Sequence, residues 1–194
     1  MRTRALESVA LATVLLALST CARPQPRTDA SIPAGVQTTT DWDVIYRVLE
    51  HPRCMNCHPS GDAPLQGDDS HPHAQNVQRG ADGHGLFAMR CETCHQAANL
   101  PGAHLPPGAP KWHLPEPKMP LVFQGRSSSE LCRQIQDPAH NGGRTMDQIF
   151  HHLADDELVG WGWDPGEGRN PVPIPRARLV EALRSWIAGG CPCP

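Results

Sequence analysis

Aromatic side chains are scarce in this 194-residue chain: 5 % of the total, with one Tyr and three Phe. Charged residues are scarce too, at 19 %. With 17 Gly and 21 Pro, a core made of side chains alone would be thin. No Lys/Arg run occurs and the formal net charge is -3, which excludes a nucleic-acid partner. Beyond the N-terminus no apolar run of 18 residues occurs, so no spanning helix is expected in the mature chain. No alternating strand pattern rises above chance. The expected fold is therefore all-α and loop-rich, with short helices in one domain. The excess is eight Cys and eleven His, which calls for disulfides, a metal or a metal-bearing cofactor.

Residues 1–20 read as a signal peptide. Arg2 and Arg4 precede the apolar run Val9–Leu18, too short to span a bilayer. Leu18-Ser19-Thr20-Cys21 resembles a lipoprotein signal, in which Cys21 would carry the lipid. Ordinary cleavage after Ser19 or Ala22 is the alternative. Residues 21–40 are rich in Pro, Thr and Ala and read as a flexible tether. Residues 41–194 are left as the folded domain. Export implies a periplasmic, oxidising location, either free or lipid-anchored.

Two C-x-x-C-H motifs stand out: Cys54-Met55-Asn56-Cys57-His58 and Cys91-Glu92-Thr93-Cys94-His95. The motif is the attachment signature of c-type haem. Two thiols three positions apart can reach both vinyl groups of one porphyrin, and the next residue projects its imidazole at the iron. Cys54, Cys57, Cys91 and Cys94 are thus the expected cofactor-binding residues, and His58 and His95 the expected iron ligands. A zinc site would place its C-x-x-C pairs about 15–20 residues apart. Here 33 residues separate Cys57 from Cys91. A thioredoxin-like dithiol would need a βαβ context, and none is visible. Two haem c groups would also explain the missing aromatics, because porphyrins supply apolar surface. Cys91 follows Cys54 by only 37 residues, too few for a complete one-haem domain, so the two haems should share one fold.

Short helices are expected over Asp41–Glu50, Leu86–Ala98, 128–136, 146–154 and Arg178–Ala188, with loops over 59–84 and 99–125. Thr40, Ser127-x-x-Glu130 and Thr145-x-x-Gln148 supply the caps. For the sixth position of iron, Met119 on its Pro-flanked loop is the leading candidate and is assigned to the second haem. For the first haem the candidates are His71, His73, His84, Met89, His104, His113, His151 and His152, with His73 favoured. His152 reads as a half-buried structural residue. Cys132 is expected to bond Cys191, leaving Cys193 free.

From Trp42 to Trp186 the chain resembles a family of small dihaem cytochromes c that are subunits of isoquinoline 1-oxidoreductase-type molybdenum hydroxylases. The segments that carry the resemblance are HPRCMNCHPSGDAPLQGDD (51–69), MRCETCHQAANLPGAHLPPGAPKWHLPEPKMP (89–120), ELCRQIQDPAHNGGRT (130–145) and LVGWGWDPGEGR (158–169). It implies an electron carrier or cytochrome subunit that takes electrons from a periplasmic molybdenum hydroxylase and hands them to a respiratory-chain acceptor. Two rival classes are a small dihaem peroxidase and a haem-based redox sensor. The peroxidase would need an open iron with acid-base groups above it. The sensor would need an output domain.

Overall fold

The structure is a computed structural model, and it describes residues 39–118 and 121–194. The signal region, Cys21, the tether up to residue 38 and Met119 lie outside the described residues.

Four amphipathic helices make the core: α1 (Asp41–Leu49), α3 (Ser128–Gln136), α4 (Met146–Asp155) and α6 (Arg176–Ala188). The first three start on closed capping boxes. In α4 the Gln148 N–H donates to Thr145 Oγ1 at 3.3 Å, while the Thr145 N–H donates to Gln148 Oε1 at 2.9 Å. These side chains satisfy amides that a helix start otherwise leaves bare. Thr145→Ala should cost about 1 kcal/mol, read as a lower urea midpoint with unchanged slope; an unchanged midpoint would deny the cap any role. The buried faces meet around Ile45, Val48, Leu131, Leu179 and Leu183. Trp42 packs on Trp186 with ring centres 5.0 Å apart, and its indole N–H donates to Ser128 Oγ at 2.8 Å.

The expectation of an all-α fold is corrected. Among the described residues 36 % are helical, and two small sheets accompany the helices. Strand β1 (Leu65–Gln66) pairs antiparallel with β2 (His71–Pro72), and β3 (Gly85–Leu86) with β4 (Met89–Arg90). Both hairpins fall in segments whose Gly residues break helical geometry. The helix expected over 86–98 is replaced by β3, β4 and a 3-10 turn at Cys91–Thr93. Gly85 is the reason. Its φ is +93°, and a Cβ there would come within 2.4 Å of the Met89 carbonyl oxygen. Only glycine can bring the chain back on itself so closely. Two further one-turn elements, α2 (Pro52–Met55) and α5 (Glu157–Gly160), flank the sites described below. Among the described residues no helix is long and apolar enough to cross a membrane.

The disulfide is also corrected: Cys132 bonds Cys193, with Cα atoms 5.7 Å apart, and Cys191 is free. Cys191 adopts φ +55° and donates its N–H to the Trp186 carbonyl at 2.9 Å. The turn this makes sends the chain past α3, so that Cys193 reaches Cys132. Gln136 Nε2, donating to the Cys191 carbonyl at 3.0 Å, holds the turn.

Candidate functional site

The first motif begins on α2. Pro52 occupies the first turn, where its missing N–H costs nothing, and His51 Nδ1 accepts from the Arg53 N–H at 3.2 Å. The turn continues beyond α2, with Cys57 N–H donating to Cys54 O at 3.2 Å and His58 N–H to Met55 O at 2.9 Å. It brings both thiols and the imidazole to one cavity. His58 Nδ1 lies 2.7 Å from the Leu121 carbonyl oxygen. A carbonyl can only accept, so Nδ1 carries the proton and Nε2 keeps a free lone pair. Phe123 stacks on the ring with centres 3.9 Å apart, and its N–H donates to the His58 carbonyl at 2.9 Å. Burial pushes the His58 pKa down to about 3 and the Cys54 and Cys57 thiols up to about 12 and about 11. The imidazole is neutral and both thiols are protonated.

The cavity holds about 950 Å³ of non-atom space, part of it open to solvent. Leu49, Leu121, Phe123, Ile149 and Leu153 give it apolar walls. Two cations and the His152 imidazole reach it, and sequence reasoning missed both cations altogether. Arg53, 6 % exposed, pairs through Nη2 with Asp68, yet its Nε is buried without a partner. Arg144 also lines the wall. His152 lines it as well, with Nδ1 held at 3.1 Å from Asp156. The half-buried position expected of His152 is observed, but its ring faces this cavity.

The second motif reaches the same arrangement by a different local structure. The 3-10 turn gives Cys94 N–H to Cys91 O at 3.1 Å and His95 N–H to Cys91 O at 2.9 Å. His95 Nδ1 donates to the Pro107 carbonyl at 2.8 Å. Trp112 stacks on the ring, 4.3 Å between centres and 5° between planes. Burial again holds the imidazole pKa below its ordinary value. The two motifs are neighbours. Trp112, stacked on His95, also lines the first cavity and meets Trp161 edge-on at 5.0 Å.

His73 is not among the residues lining the His58 cavity. Its ring stands 6.3 Å from that of His95 in the second motif. Its Nδ1 is buried without a hydrogen-bond partner. Of the other candidates, His71 is exposed on Asp69 at 2.6 Å. His151 is exposed on Asp155 at 2.6 Å, and Met89 is 44 % exposed. His84 stacks on His113, and His113 lines the first cavity.

These residues fit a covalent haem. The apolar cavity receives two thiols and a free imidazole nitrogen, and the unpartnered Arg53 Nε suits an acidic porphyrin substituent. Among the described residues no group of three or more His, Cys, Asp or Glu gathers as a metal site; a porphyrin brings its own four nitrogens and asks for one or two from the protein. Compared with protein-family models, curated proteins and solved structures, the chain finds no match.

Proposed function

We propose that this protein is a periplasmic electron carrier with two covalent c-type haems, one on Cys54, Cys57 and His58, the other on Cys91, Cys94 and His95. By the resemblance of its sequence, its donor is a molybdenum hydroxylase and its acceptor belongs to the respiratory chain. One observation carries the reading. Two motifs on unlike backbones, a helical turn and a 3-10 turn, both donate His Nδ1–H to a main-chain carbonyl and leave Nε2 free.

When bound, the haem supplies a reversible one-electron iron couple. The chain's own residues do the rest. Cys54 and Cys57 would hold one haem and Cys91 and Cys94 the other, each S–H adding across a vinyl group, an addition that would need no oxidant and expel nothing. The Leu121 and Pro107 carbonyls orient the imidazoles and raise their basicity. Phe123 and Trp112 fix the ring planes. The apolar walls exclude water from the first site. The net charge of -3 favours donors and acceptors with basic docking surfaces. Cys21, if lipidated, would hold the carrier at the membrane.

A pyridine haemochrome assay on the exported protein should count two haems per chain, resistant to acid-acetone extraction. Cys54→Ala with Cys57→Ala should reduce the count to one. A wild-type count of one, or zinc in place of iron, overturns the reading. Reduced protein mixed with hydrogen peroxide should show no sustained turnover; sustained turnover would replace the carrier with a peroxidase. Reduction by the donor should slow with added salt, because screening weakens steering.

A further inference from the structure

Resting on the two-haem reading, we propose that His73 is the second axial ligand of the iron held by His95, making the second haem bis-histidine. The ring separation is the first argument. With a metal–imidazole bond of about 2.0 Å and a ring centre about 1.2 Å behind the bonding nitrogen, two imidazoles across one first-row metal stand roughly 6–6.5 Å apart. The observed separation is 6.3 Å, with planes 69° apart. The rings are neither stacked nor bonded to each other. The His84–His113 pair shows the contrast: at 5.2 Å and 26° it is a stack, with no room for a metal between.

The second argument is the buried Nδ1 of His73, which has no hydrogen-bond partner among the described residues. A buried nitrogen without a partner is costly, and coordination at this ring removes the reason for it to stay bare. His95 for its part has given Nδ1 to Pro107, so its other nitrogen is the one available.

The third argument is rigidity. The His73 N–H donates to the Pro64 carbonyl at 3.0 Å, and the Leu65 N–H to the Asn56 carbonyl at 3.0 Å. Asn56 Nδ2 donates to the Gly67 carbonyl at 2.9 Å. The β1–β2 hairpin therefore ties His73 to the backbone of the first motif while its ring faces the second. On this proposal the role expected of Met119 at the second haem falls to His73.

The test uses the oxidised holoprotein. Wild type should show a low-spin bis-histidine EPR signal from one haem. In His73→Ala, with two haems still counted by pyridine haemochrome, one haem should become high-spin and, once reduced with dithionite, bind carbon monoxide, and added imidazole should restore the low-spin spectrum of the oxidised protein. His73→Met keeps a ligating side chain, and should introduce a sulfur-to-iron charge-transfer band. His71→Ala, on the same hairpin but exposed, should change nothing. Two haems with an unchanged spectrum in both His73 variants overturn the assignment and leave the two-haem reading standing. A wild-type count below two overturns that reading first.

Discussion

Removing the Cys193 thiol lowers the stability of the oxidised protein by about 4 kcal/mol, whereas removing that of Cys191 changes it by less than about 0.5 kcal/mol. The difference follows from the Cys132–Cys193 bond, whose sequence separation is 61. A cross-link across so long a loop removes much of the unfolded chain's freedom. The comparison belongs in a Cys191→Ser background, since a free Cys191 could otherwise take Cys193's place on Cys132. Adding Cys193→Ser there should lower Tm by roughly 8–16 °C. A large loss from Cys191→Ser alone would mean that Cys191 is the native partner of Cys132.

Phe123→Ala should cost about 3–5 kcal/mol, the usual range for a fully buried aromatic. The ring is 4 % exposed and is stacked on His58, so the loss is not confined to packing. Without the stack His58 keeps its bond to Leu121 but can rotate about it. The low-spin EPR signal of one haem should broaden, while that of the other stays sharp. Phe123→Leu restores most of the volume and should recover most of the stability, yet not the sharp signal, because a branched chain cannot stack. Denaturant unfolding and EPR of the three proteins settle both points. A loss under 1 kcal/mol in Phe123→Ala would show that the cavity wall closes over the gap.

What could be read from the sequence was local. Thr40, Ser127 and Thr145 lie three positions before the side chains that complete their boxes, so α1, α3 and α4 were legible to within a residue or so. The thiols and imidazoles of both motifs were legible for the same reason. What orients them was not. The carbonyl that holds His58 is 63 residues away, and the one that holds His95 is 12 away. Nor could sequence show that Gly85 folds the chain back before Cys91, which turned an expected helix into a hairpin. Nothing in the sequence marked Arg53 and Arg79 as buried. Arg79 is 1 % exposed and donates to the Pro115 and Gly61 carbonyls at 2.7 and 2.8 Å.

The β1–β2 hairpin has a bearing on how this protein can diverge. An ordinary surface connection tolerates added residues, at about 0.6 kcal/mol for each doubling of its length. The stretch from Asn56 to His73 has no such tolerance. One end is bonded to the first motif and the other carries an imidazole to the second. A single inserted residue between Leu65 and His73 would flip the side chains beyond it to the opposite face and turn His73 away from His95. The segment acts as a ruler whose length both sites read. Insertions should therefore collect elsewhere, and neither motif should be transplantable as a one-haem module without the other.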